Sequence, residues 1–276
     1  MSVKIAHFYW GGNPLSYLRY LTVKSFILMN PDWEVRFHIP KDHYSGDAEW
    51  VSHSHKLRYN GEDYMDALSD LGIKPQVFNF RAAGFKEDVH EAYKSDYLRW
   101  HLLYHSGGFW SDLDVIFFKP MPMDIIEAHD FCITADINPP IYYIAFIYSR
   151  KQSPIMGMIH RAAQRSCNFD PLNYQCLGNV LVAKCFPQPP ISFKQHPTTQ
   201  QENVHIFDPA INLPIKRVSR MDEIFEVHSD IDFSKSIGFH WFGGHPMATK
   251  WENILTAKSI QVCNNNLCKV IRSVGL

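Results

Sequence analysis

No run of apolar residues in this chain approaches the roughly 20 needed to span a bilayer as a helix; the longest, residues 141–148, is one strand long. The opening MSVKIAHFYW has a single lysine and too short an apolar stretch for a signal peptide. Neither sign of charge prevails. The formal net charge is −1, which leaves no general electrostatic grip on nucleic acid or anionic lipid. Cysteine is sparse: Cys132, Cys167, Cys176, Cys185, Cys263 and Cys268 form neither a CxxC pair nor a disulfide framework, and they read as reduced thiols. Apolar mass, by contrast, is ample. With 276 residues, 46% hydrophobic and 14% aromatic, the chain suffices for one large domain or two small ones with a sizeable core.

The most informative stretch is residues 91–120, EAYKSDYLRWHLLYHSGGFWSDLDVIFFKP. From Glu91 to His105 there is no proline or glycine, and Leu98, Leu102 and Leu103 with Tyr97 and Tyr104 follow the three- and four-residue spacing of a helix with one buried face. Gly107-Gly108 stops that helix, because the left-handed residue that commonly ends one is adopted at little cost only by glycine. A strand then begins at once. In FWSDLDVIFF, Asp112 and Asp114 are two residues apart, so in extended chain both carboxylates fall on one face and make a divalent-cation site. Asp96 and Arg99 stand three apart on one helical turn, a spacing that by itself describes a surface ion pair.

The order Asp96-x-x-Arg99, Gly107-Gly108, aromatic, Asp112-x-Asp114 resembles the core of the DXD-containing sugar-nucleotide glycosyltransferases, in the group of the capsular-polysaccharide and Och1-like sugar transferases and the large clostridial glucosylating toxins. The resemblance implies an α/β fold of the GT-A type, a Rossmann-like mixed sheet flanked by helices in a single catalytic domain. It implies transfer of a hexose from a nucleotide sugar, with Mn²⁺ or Mg²⁺ and retention of anomeric configuration. In that scheme Asp114 binds the metal directly, and Asp112 binds it through water or holds the ribose. Asp96 accepts hydrogen bonds from the donor sugar, and Arg99 orients Asp96 and contacts sugar or phosphate. No anchor like that of eukaryotic Golgi relatives stands in the sequence, so the expectation is a cytoplasmic enzyme of bacterial, phage or viral origin.

Two more clusters extend the resemblance. VKIAHFYWGG reads as an apolar first strand, residues 3–10, closed by Gly11-Gly12. It looks like the first-strand motif of the toxin branch, whose tryptophan stacks on uracil; this implies Trp10 as the base platform, with His7 nearby and UDP as the favoured nucleotide. Near the end, GFHWFGGHPMATKW (residues 238–251) is similar to the H-x-x-G-x-x-K-P-W motif of metal-dependent retaining transferases. The implied third metal ligand is His240, whose neutral imidazole suits Mn²⁺. Trp241, Gly243 and Lys250 would hold the donor. The spacing to Lys250 is longer than the motif's and its proline is displaced to Pro246, so His245 is an alternative to Lys250.

The remaining pattern predicts a helix over residues 14–30, strands over 33–39, 76–80, 130–135 and 142–148, and a helix over 154–164. A helical or loop insertion is expected at 42–72, and Asp136 is placed at the carboxyl end of its strand, where open α/β sheets meet ligands. Dense proline argues against regular structure through 186–214, apart from a short edge strand at 204–207. The catalytic domain is expected to end near residue 262, leaving 263–276 as a loop and frayed tail. Asp230-Ile231-Asp232 is also D-x-D but lacks the helix and glycines, and reads as a loop. Two alternatives stand: a haloacid-dehalogenase-like phosphohydrolase, whose nucleophile motif Asp112-Leu113-Asp114-Val115 matches, and a non-catalytic nucleotide-sugar or glycan-binding module. The acceptor is open among a glycan, a lipid-linked oligosaccharide, a protein side chain and a modified nucleic-acid base.

Overall fold

The computed structural model describes residues 3–11, 14–45, 58–85, 88–165, 169–170, 172–173, 175–215, 220–226 and 231–276. Chain order begins β1 (Ile5–Tyr9), α1 (Tyr17–Met29), β2 (Glu34–Pro40), β3 (Gln76–Phe78), α2 (Glu91–His105), β4 (Gly108–Ser111), β5 (Val115–Phe117) and α3 (Met123–Ala128). It continues with β6 (Phe131–Ile137), β7 (Pro140–Ser149), α4 (Pro154–Gln164), α5 (Asn179–Cys185), α6 (Ile191–Gln195) and β8 (Val204–Phe207). The last elements are α7 (Asp222–Phe225), β9 (Gly238–His240), α8 (Pro246–Ile254), α9 (Ala257–Val262) and α10 (Asn266–Ser273).

Seven strands make one sheet in the order β3-β2-β1-β4-β7-β6-β8, and β5 and β9 form a separate pair. β1 runs parallel to β2 and β4, and β2 to β3. β7 is antiparallel to both β4 and β6, while the edge strand β8 is parallel to β6. This is a Rossmann-like mixed sheet of an α/β domain, flanked by helices. Its strands are apolar on both sides because both faces are covered. Phe8, Phe109, Cys132 and Phe146 point into one core with α1 and the C-terminal helices, whereas Tyr9, Trp110, Ile133 and Ile147, each the next residue along, point into a second core with α2, α4 and α5.

The first core centres on Phe26 of α1, stacked on Phe109 with ring centroids 5.7 Å apart and edge-on to Phe8 at 5.6 Å and to Phe117 at 5.1 Å. All four rings are fully buried, each worth about 1.5–3 kcal/mol of transfer free energy. This packing fixes α1 beneath the strand pair that carries the site. Helix α2 has the bounds its spacing predicts, and its stop is steric: Gly107 and Gly108 have φ of 71° and 103°, and a Cβ on Gly108 would collide with the Ile5 carbonyl. Without that close approach β4 would not pair with β1.

Several expectations are corrected. Residues 263–276 are not a frayed tail: α10 is capped by Asn265, whose side chain accepts from the Cys268 amide at 2.8 Å, and buries Leu267, Cys268 and Ile271 completely. Asp136 does stand at the carboxyl end of its strand, as the penultimate residue of β6, where it accepts from the Tyr143 hydroxyl at 2.6 Å. The proline-rich segment holds α6 as well as β8, which does sit at the sheet edge. Of the insertion, the described part includes a 3₁₀ helix, Asp66–Leu71, whose Leu68 is fully buried; residues 46–57 lie outside the described residues, as do Gly12, Cys167 and Asp230. Cys132, Cys176, Cys185, Cys263 and Cys268 are unbridged.

Candidate active site

The two aspartates do not share a strand. β4 ends at Ser111 and β5 begins at Val115, so Asp112, Leu113 and Asp114 form the turn between the large sheet and the small one. Leu113 is buried, and its carbonyl accepts from the Thr22 hydroxyl at 3.2 Å, which pins the turn to α1. The carboxylates therefore serve two sides of one turn. Asp112 Oδ1 faces α2, 3.2 Å from Arg99 Nη2, and accepts from the Trp110 indole at 3.0 Å. Asp114 faces the loop after β9.

Pairing of β5 with β9 sets that second side, because it places His240 opposite Val115, one residue past Asp114. His240 Nε2 stands 3.0 Å from Asp114 Oδ1, and the Gly243 amide donates to Asp114 Oδ2 at 2.8 Å. Phe242 adopts φ 54°, a conformation rare for a non-glycine, between these two contacts. Burial opposes the charge on Asp114, but the His240 ring, the Arg19 guanidinium and the Gly243 amide outweigh it and hold the carboxyl well below its ordinary range. On His240 burial disfavours the imidazolium, and Asp114 reverses that, leaving its pKa raised. Asp114 Oδ1 is nonetheless buried without accepting a hydrogen bond. Two ligand atoms at right angles on an ion with bonds of about 2.1 Å lie about 3 Å apart. The observed separation fits a shared cation.

Asp96 and Arg99 meet across one turn of α2, with Arg99 Nη2 donating to Asp96 Oδ1 at 2.9 Å while Arg99 Nη1 donates to the Ile144 carbonyl. One guanidinium thus holds two carboxylates, those of Asp96 and Asp112. Burial is the largest influence on Asp96; Arg99 resists it, Asp112 adds to it, and the carboxyl is pushed up to about 7. Gly178, which precedes α5, closes over this carboxylate: a Cβ there would lie 2.7 Å from Asp96 Oδ2 and 2.9 Å from Gln175 Oε1.

At the end of β1, half-buried Trp10 carries Arg19 over its ring at 4.2 Å. The same guanidinium lies 5.3 Å from the Trp241 ring and 2.9 Å from the buried carboxylate of Glu252, which accepts from Ser16 at 2.6 Å. Buried polar atoms without a partner gather in this region: Trp10 Nε1, Arg99 Nε, Asp114 Oδ1, Asn179 Oδ1, His240 Nδ1 and Trp241 Nε1. Native interiors leave few such groups, and a bound ligand or ordered water would satisfy them.

Not every predicted residue reaches this place. His7 is fully buried, its ring wedged between the Gly107 carbonyl at 3.0 Å and His38 at 3.2 Å; it braces β1 and has no ring nitrogen left for a donor. Trp241 is fully buried and acts through Arg19. Lys250 pairs with Glu226, at the end of α7, at 3.0 Å, and His245 caps α8 by accepting from the Met247 amide at 3.2 Å. Trp251 stacks on Phe225. Arg19, Glu252, Gln175 and Asn179 are the additions; no spacing could have joined Arg19 to Glu252, which are 233 residues apart.

Residues 21–132, from α1 into β6, match the family described as a glycosyltransferase sugar-binding region containing the DXD motif. The matched region includes Asp96, Arg99, Asp112 and Asp114. No curated protein matches the chain. Among solved structures, the PaToxG glycosyltransferase is 17% identical with a TM-score of 0.47, over 66% of this chain and 68% of that one. The galactosyltransferase LgtC, in complex with donor and acceptor sugar analogs, is 13% identical with a TM-score of 0.39, over 99% and 96%. Among the described residues no helix is long and apolar enough to cross a membrane.

Proposed function

We propose that the enzyme transfers a hexose from a UDP-sugar to an acceptor hydroxyl, with retention and with Mn²⁺ or Mg²⁺ held by Asp114 and His240 and, directly or through water, by Asp112. The observation that supports this most is the 3.0 Å approach of Asp114 Oδ1, a buried oxygen that accepts no hydrogen bond, to His240 Nε2. Bound there, a divalent ion would neutralise the charge that a nucleoside diphosphate gains as the glycosidic C–O bond breaks. The chain's own groups do the rest. Arg19 covers one face of half-buried Trp10, whose ring would stack on uracil. Arg19 also sets a positive charge beside Asp114, where a diphosphate would lie. Asp96, steered by Arg99 and flanked by Gln175, accepts hydrogen bonds from the hexose hydroxyls. The acceptor is a glycan or a protein side chain. The unbridged thiols fit a reducing, cytoplasmic setting.

Trp10→Ala is expected to weaken UDP binding by about 5–150-fold, the equivalent of about 1–3 kcal/mol of base stacking. Calorimetry with UDP would check this, with kcat on saturating donor little changed; unaltered UDP affinity would leave Trp10 as core alone. The pH profile provides a second test. Only ionised Asp96 accepts from both sides, and its free-enzyme pKa is about 7. Since kcat/KM reports free-enzyme groups, it should rise between about pH 6 and pH 8. In Asp96→Asn it should be low and without that rise.

A further inference from the structure

A second set of metal-ligating side chains lies at the other end of α2, away from Asp96 and Arg99. His101 and His105 are four residues apart on this helix and so share one face, and His160 comes to meet them from α4. One ligand atom from each lies within 4.8 Å of the other two. The ring centroids of His101 and His105 are 4.4 Å apart, and each stands 5.2 Å from that of His160. Among the described residues no ion pair, cap or turn accounts for three imidazoles meeting here. A second observation is independent of that proximity: His101 Nδ1 and His160 Nε2 are buried nitrogens without a hydrogen-bond partner. The surroundings would hold the rings in place, with Tyr97 stacked on His101, Tyr104 on His160, and Phe78 edge-on to His101.

We propose that His101, His105 and His160 bind one divalent transition ion of the Zn²⁺ type, which fastens the C-terminal half of α2 to α4. The chemistry selects the ion. An all-imidazole set suits zinc and its neighbours, whereas carboxylate and water suit Mg²⁺ and Mn²⁺, so this site and the one at Asp114 differ in preference. Zinc–nitrogen bonds of about 2.0–2.1 Å put tetrahedral ligand atoms about 3.4 Å apart. His105 is exposed and can turn to close the trio around an ion. Imidazole must be neutral to ligate. Burial, with help from the neighbouring imidazoles, pushes both His101 and His160 down to about 4, so they are neutral at physiological pH. A fourth position is left for water.

The test uses the full chain stripped of metal with a chelator, in an Asp114→Asn background so that the other site does not contribute. Calorimetric titration with Zn²⁺ should reveal one site whose affinity falls by at least about 10–100-fold in His105→Gln, an exposed position whose change leaves the core intact. His101→Gln and His160→Gln should lose it altogether. Co²⁺ in place of Zn²⁺ should give a visible ligand-field band that is absent from the His105→Gln form. Thermal melting should show Zn²⁺ raising the midpoint of the parent and not that of His105→Gln. Identical Zn²⁺ isotherms in the parent and in His105→Gln would overturn the proposal, as would an Asp114→Asn protein that binds no Zn²⁺.

Discussion

Asp114→Asn is expected to lower metal-dependent release of nucleotide from the donor by at least about 100-fold while the chain stays folded. The magnitude follows from the residue's position, since loss of a partner one shell further out already costs about 10–100-fold at metal sites. Asn keeps the side-chain oxygen that accepts from Gly243 but removes the charge that faces His240. The same change lets the His240 pKa fall, because Asp114 is what raises it against burial. In the parent enzyme that raised pKa has its own consequence. Metal must displace a proton from His240, so Mn²⁺ affinity should decline as pH drops through the raised value. Mn²⁺ titrations at a series of pH values would show it, and near-normal turnover in the variant would remove Asp114 from the metal.

Arg99→Ala is expected to be the most damaging single change at the site, removing activity and about 3–5 kcal/mol of stability, the range for breaking a buried ion pair. Arg99 is 3% exposed in its side chain and holds Asp96 at 2.9 Å and Asp112 at 3.2 Å, as well as the Ile144 carbonyl. The loss should depend on pH, and its sign can be worked out. Asp96 has a folded pKa already raised above its unfolded value, so its favourable contribution is complete below the unfolded pKa and disappears as pH rises through about 7. Without Arg99 the carboxyl moves further up and accommodates by staying protonated at low pH. Denaturant titrations should therefore show a greater deficit at pH 8 than at pH 6. An Arg99→Lys protein should recover part of the stability, since a point charge remains, but little activity, since lysine cannot span two carboxylates and a carbonyl.

What could be read in the sequence, and what could not, divides along physical lines. Helix α2 and its glycine stop follow from local rules: an uninterrupted helical spacing and two residues at positive φ. The Asp-x-Asp pair was legible as a pair but not in its geometry. Period-two alternation holds only while a strand continues, and here the backbone leaves one sheet and joins another, so the carboxylates face opposite partners. His240 was named through a motif alone, and the β5–β9 pairing is the tertiary reason it lies beside Asp114. Lys250 shows the limit of matching with a stretched spacing: the extra residues carry it along α8 to Glu226. Helix α10 was missed although its signals were present, an asparagine cap followed by Leu267, Val270 and Ile271, because eight residues behind an asparagine run resemble an end of chain. The Arg19–Glu252 pair that backs Trp10 had no sequence signal at all, since only folding brings α1 and α8 together. His101 and His105 carried no sequence signal as a pair, because their meeting with His160 depends on another helix.

The central claim is that Asp112, Asp114 and His240 assemble a metal-assisted site for a UDP-sugar. The most direct measurement is release of free nucleotide when the metal-stripped enzyme meets a panel of UDP-, GDP- and other nucleotide sugars, with and without added Mn²⁺. The account predicts Mn²⁺-dependent release of UDP from one UDP-hexose, lost in Asp114→Asn. Release that is equally fast without a divalent ion, or confined to another nucleotide, would contradict it.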